Sequence, residues 1–183
     1  MDKQNRKVRY TRKVLAESLI ELMQARPVSA ISIKELCALA DINRSTFYDH
    51  YKSPYDILRQ IEDAALEALD NIQVKSAFLS GKTEQQHFVE GILQFIIDNK
   101  NWSQVLMSEH GDIQFQRKLF SFIQQKGLIK FKKSDPVDER AKAYYLVFAL
   151  NGSIALIQQW VKNGMDIPKD KMARMLIKLN RQE

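Results

Sequence analysis

The chain has 183 residues, enough to bury a core without disulfide or metal staples. Apolar residues make up 45 % and charged residues 27 %, which sets aside disordered and fibrous classes, and apolar runs such as Tyr144 to Leu150 are far too short to span a membrane. The net charge of +6 is uneven, with +4 on residues 1–60 and +2 on the rest.

Only four prolines and six glycines interrupt the chain, and no stretch alternates polar and β-branched residues, so the reading is all-α. The opening MDKQNRKVRYTRK holds Lys3, Arg6, Lys7, Arg9, Arg12 and Lys13 against Asp2. A solvated tail and an arm that tracks a polyanion both fit that run. It lacks the apolar core of a secretory signal, which predicts a cytoplasmic protein. A first helix is expected over about Thr11 to Ala25, with Leu15, Leu19, Leu22 and Met23 on one face, ended by Arg26-Pro27. Ser32-Ile33-Lys34-Glu35 has the form of a capping box for a second helix from Ser32 to about Ala40. Within it Cys37, the single cysteine, reads as a small core residue. After Asp41-Ile42, Asn43 is a suitable N-cap for a short third helix. Ser53, Pro54 and Asp56 then cap, begin and favour a long fourth helix to about Ile72. Thr83-x-x-Gln86 opens a further helix to about Asn99. Helices over about 112–126, 137–163 and 168–180 follow, with Gly111, Gly127 and the segment 132–136 as breaks, for about nine in total.

Three short helices with a brief connection between the second and third describe a helix-turn-helix unit, whose third helix reads the DNA major groove. Such a helix needs a buried back and a polar front. Ile42 and Phe47, with Tyr51, supply the back; Asn43, Arg44, Ser45, Thr46, Tyr48 and His50 are left for the front. Arg44 suits guanine O6 and N7, Thr46 suits a thymine methyl or base acceptor, and Tyr48, His50 and Lys52 suit phosphate oxygens. Ser32 with its first-turn amides offers a phosphate site, and Arg12 and Lys13 could grip neighbouring phosphates.

The strings Ile31-Ser32-Ile33-Lys34-Glu35-Leu36, Ala40 to Tyr51 and Lys52-Ser53-Pro54-Tyr55-Asp56-Ile57-Leu58 resemble the N-terminal domain of the TetR family of bacterial transcriptional regulators. Thr46, Tyr48, His50 and Lys52 stand where that family usually has the same types. Asp41 departs from a turn position usually given to Gly, Ser45 stands where Gly is common, and Asp49 puts a carboxylate beside the phosphate contacts. The resemblance implies a DNA-binding domain over residues 1–58 and a helical regulatory and dimerisation domain over 59–183. The stretch from Asn151 through Trp160 to Pro168 looks like a C-terminal type found in regulators of Gram-positive bacteria.

Residues 60–183 show no catalytic set, metal-ligand spacing or phosphate loop, so neither an enzyme nor a cofactor is expected, and His87 and His110 read as surface histidines. The last two helices are apolar further round than one stripe requires. The family's last helices pair between chains, which marks Ile154, Ile157, Trp160, Met172, Met175, Leu176 and Leu179 as a homodimer seam. The family's effector pocket follows helix 4; its wall candidates are Trp102, Leu106, Met107, Phe115, Phe122, Tyr144 and Phe148, a set that equally suits plain core. The resemblance thus implies a homodimeric repressor that binds a pseudo-palindromic duplex operator and is released by an unknown small molecule. The alternative is a regulator-derived helical protein that works through a partner protein, as co-activator or adaptor.

Overall fold

The computed structural model describes residues 3–77, 83–125 and 139–180. Among them are nine α-helices, one short 3-10 turn at Val28–Ala30 and no strand: α1 (Lys3–Met23), α2 (Ile33–Leu39), α3 (Arg44–Tyr48), α4 (Pro54–Ser76), α5 (Glu84–Asp98), α6 (Lys100–Leu106), α7 (Ile113–Gln125), α8 (Glu139–Lys162) and α9 (Lys169–Leu179). The all-α expectation holds. The expected break at 132–136 lies outside the described residues.

The first helix differs most from expectation. It begins at Lys3, so the basic opening is helical and not a tail. Lysine, arginine and glutamine are good helix formers and neither Gly nor Pro interrupts the run, but it carries no apolar stripe to announce itself.

The chain divides into two compact units, Met1–Ala65 with Asn101–Asp112, and Leu66–Lys100 with Ile113–Glu183. α4 is one continuous helix that contributes residues to both, and the expected 58/59 boundary falls inside it. In the first unit Leu15, Leu19, Met23, Leu36, Phe47, Ile57 and Leu58 are all but fully buried. Burying such side chains contributes about 1.5–3 kcal/mol each and fixes the short helices. Val105 and Leu106 of α6 belong to the same unit and are buried too. His110, expected on the surface, is half-buried and donates from Nδ1 to the Met23 carbonyl at 3.1 Å. That carbonyl lies in the last turn of α1, where no intrahelical donor remains.

In the second unit α5 opens with the expected reciprocal capping box. Thr83 Oγ1 accepts from Gln86 N at 3.2 Å, and Gln86 Oε1 accepts from Thr83 N at 2.9 Å. His87, one residue on, is half-buried and not a surface histidine. α5 packs against α9, where Lys169 Nζ donates to Gln94 Oε1 at 2.7 Å. Gly91 is required by close approach: a Cβ there would meet Ile72 Cγ2 at 2.5 Å. α8 ends in a Schellman turn, with Met165 N donating to Trp160 O and Gly164 N to Val161 O, and Gly164 left-handed at φ 75°. Trp160 Nε1 donates to Ile167 O at 2.8 Å and Tyr145 Oη to Asn180 O at 2.8 Å, which fastens α9 back onto α8.

Candidate nucleic-acid interface

The candidate interface lies in the first unit and is built from the turns outward. Ser32 occupies the N-cap of α2, and its Oγ accepts from Glu35 N at 3.2 Å. The reciprocal half of the expected box is missing, because the Glu35 carboxylate takes the Arg26 guanidinium instead. An ionic hydrogen bond outcompetes a neutral backbone donor. Ser32 remains exposed.

The turn between α2 and α3 is itself a helix cap. Ile42 N donates to Cys37 O at 3.0 Å and Asp41 N to Ala38 O at 3.4 Å, the two bonds of a Schellman motif. Asp41 sits at its left-handed position with φ 52°, a conformation that Asp tolerates better than most non-glycine residues. The turn keeps its shape without a glycine. Cys37 is buried as expected, and burial pushes its thiol up while the Arg44 charge acts against that shift.

Asn43 has the extended backbone of an N-cap, yet its side chain makes no capping bond and stays exposed. That corrects the expected capping role and leaves the amide for an outside partner. Phe47 is 0 % exposed and holds the back of α3, with the Tyr48 ring edge-on at 5.5 Å and Tyr51 at 6.0 Å. Ile42 is half-buried and Tyr51 buried, completing that back. On the front Arg44, Ser45 and Tyr48 are exposed, the last at 60 %, while Thr46 and His50 are half-buried. Asp49 stands exposed at the C-cap.

The entrance to α4 reverses the expected roles. Ser53 does not cap alone; the Asp56 carboxylate reaches back and accepts from Lys52 N and Ser53 N, each at 2.8 Å, and from Ser53 Oγ at 3.3 Å. The Arg59 guanidinium at 2.6 Å, with these amides, holds the Asp56 carboxyl below the usual carboxylate range. The clamp fixes the backbone from which exposed Lys52 projects. Arg12 and Lys13 on α1 are exposed, Lys13 in an i,i+4 pair with Glu17 at 3.8 Å. Such an exposed pair contributes at most about 1 kcal/mol, so it yields readily to a phosphate.

The other candidates scatter. Trp102, half-buried, lines a cleft of the first unit. Leu106 and Phe115 are buried, and Met107 and Phe122 are half-buried. Tyr144 and Phe148, expected in the same wall, are 79 % and 72 % exposed, which removes them from any enclosed wall in the single chain. Of the residues expected at a dimer seam, Trp160, Met172 and Leu176 are buried in the single chain, Ile154, Ile157 and Met175 are half-buried and Leu179 is exposed. Val147, with Tyr144 and Phe148, forms an exposed i, i+3, i+4 stripe on α8. Among the described residues no helix is long and apolar enough to cross a membrane, and no group of three or more His, Cys, Asp or Glu could hold a metal.

Comparison with known proteins places these observations in a family. Residues 83–182 match the TetR_C_8 family model, a transcriptional regulator C-terminal region. The fold is similar to that of a TetR transcriptional regulator from Streptococcus agalactiae 2603V, with TM-score 0.69, 18 % identity and 98 % of each chain covered. It is also similar to the dihydroxyacetone kinase operon activator DhaS, with TM-score 0.57, 20 % identity and 93 % of each chain covered. No curated protein matches. With the C-terminal match spanning more than half of its length and a helix-turn-helix unit before it, the chain belongs to the TetR family of transcriptional regulators.

Proposed function

We propose that the protein is a cytoplasmic, homodimeric DNA-binding repressor that reads a pseudo-palindromic operator with α3 and is released by a small-molecule effector. The carrying observation is α3 itself: its back is closed by Phe47, and its front presents Arg44, Ser45 and Tyr48 to solvent. Arg44 would read a guanine edge, while Asn43, Thr46 and His50 would add base or phosphate contacts. Ser32, Arg12, Lys13 and Lys52 would hold phosphates.

Two copies related by a two-fold axis would set their α3 helices roughly 34 Å apart, one turn of duplex. For the seam we assign the exposed α8 stripe, Tyr144, Val147 and Phe148, with Leu179 of α9. Gly152 follows on the same helix, and a Cβ there would meet nothing within 4 Å, so the surface is open to a second helix. An exposed aromatic stripe of this kind is the usual mark of an association surface. Because α4 is continuous from Pro54 to Ser76, an effector that favours one arrangement of the dimer would change the spacing of the reading helices.

A second reading rests on Asp49, an exposed carboxylate between Tyr48 and His50. It favours action through a partner protein, as co-activator or adaptor. DNase I footprinting on the DNA upstream of the protein's own gene separates the two. Protection of two half-sites one helical turn apart supports the repressor, and an unprotected duplex at saturating protein refutes it.

A further inference from the structure

The first unit contains a cleft of about 660 Å³ whose lining joins cationic and apolar side chains. Arg6, Arg9 and Arg12 of α1 line it. All three residues are exposed, and among the described residues none has a carboxylate partner. The cleft is also lined by Ile57, Ile61 and Ala64 of α4 and by Trp102 of α6; Ile57 and Ile61 are buried, Trp102 is half-buried and Ala64 is exposed. Tyr51 and Gln60 also line it, already joined by a hydrogen bond from Tyr51 Oη to Gln60 Oε1 at 2.6 Å.

Duplex DNA explains only half of this. Phosphates account for the arginines, but not for the half-buried indole of Trp102 in the same cleft. Conversely, a neutral apolar ligand would leave three unpaired cations in the lining. The volume lies within the usual range for small-molecule sites, on the order of 300–1,000 Å³. A planar guanidinium pairs bidentately with carboxylate or phosphate and also stacks on aromatic faces.

We infer that this cleft binds a small amphipathic organic anion, a carboxylate or phosphate ester on an apolar or aromatic body, with the anion on Arg6, Arg9 and Arg12 and the body against Trp102 and Ala64. Arg12 also serves the proposed phosphate contact. Occupation of the cleft therefore withdraws it from the duplex and lowers operator affinity, a consequence that rests on the repressor reading above. The burial that pushes the Tyr51 phenol up, opposed by the Arg12 charge, agrees with a cleft in which a guanidinium lies near apolar surroundings.

The test is calorimetric titration of the full chain with naphthyl phosphate, beside naphthol and inorganic phosphate. One saturable site per chain for the ester, with binding at least tenfold weaker for each of its two halves, is expected. Arg9→Ala should weaken the ester about tenfold, and Ala64→Trp, which fills the cleft, should abolish its binding. If Ala64→Trp fails to fold by circular dichroism, Arg9→Ala, at an exposed position, decides. Absence of saturable binding, a site insensitive to the variants, or inorganic phosphate bound as tightly as the ester would each overturn the proposal. Saturating ester should lower duplex affinity at least fivefold, and unchanged affinity overturns the link to release. Ester binding without any duplex binding defeats the repressor reading and leaves the site standing; duplex binding without ester binding does the reverse.

Discussion

Phe148→Glu is the sharpest perturbation of the proposed seam. Phe148 is 72 % exposed in the single chain, so the change removes little from the core of its own unit. For a phenylalanine of roughly 200 Å², about 140 Å² is then available to a partner. At about 25 cal/mol per Å² that is about 3.5 kcal/mol, and two-fold symmetry doubles it to about 7 kcal/mol per dimer. Coverage by the partner is incomplete and ordering costs oppose it, so about half, 3–4 kcal/mol, is the expected net loss. This corresponds to a dissociation constant raised by roughly two to three orders of magnitude. Sedimentation equilibrium across a wide concentration range reads it directly, with thermal melting as the check that the fold is kept. A well-folded Phe148→Glu protein with an unchanged dimer constant would refute the α8 seam.

Four further outcomes follow from particular residues. Arg44→Ala should cost about 1–3 kcal/mol on the operator and relax base choice in a binding-site selection; an equal loss on all sequences would make Arg44 a phosphate contact. Phe47→Ala, which empties the only fully closed side of α3, should cost about 3–5 kcal/mol in urea unfolding. By contrast, Tyr48→Ala should lie within about 0.5 kcal/mol and weaken duplex binding instead. Asp56 gives a pH dependence. Its carboxyl is held below the ordinary value by Arg59 and the Lys52 and Ser53 amides, so the folded state binds this proton less readily than the unfolded chain. Its stabilising contribution is present above the unfolded pKa and is lost as pH falls through the lowered folded one. Asp56→Asn should therefore be less stable than the parent near neutral pH, with the gap closing in acid; a gap independent of pH would contradict the clamp.

Much of both units is legible in local chemistry. The Thr83 and Gln86 box, Pro54 at the start of α4 and Phe47 at the back of α3 each depend on partners within a few residues, so spacing alone reveals them. Asp41 is similar, since the left-handed turn is the cap of the helix just before it. Partners distant in sequence are what spacing does not show. Glu35 leaves its capping box for Arg26, nine residues earlier, and His110 reaches Met23 across 87 residues. Extension of α1 to Lys3 rests on helix propensity without any apolar stripe. On α8 apolar residues occupy more than one face, so periodicity could not say that Trp160 is turned to its own core while Tyr144 and Phe148 are turned to solvent.

DNA reading by the first unit is tested most directly by the salt dependence of binding to a duplex from upstream of the protein's own gene, followed by fluorescence anisotropy. Arg12, Lys13 and Lys52 in each protomer give six phosphate-gripping cations per dimer, hence a slope of log affinity against log salt of about −5. Affinity should fall about a thousandfold between about 50 and 200 mM salt. A slope near zero, or no binding to the duplex at low salt, would contradict DNA recognition by this helix-turn-helix unit.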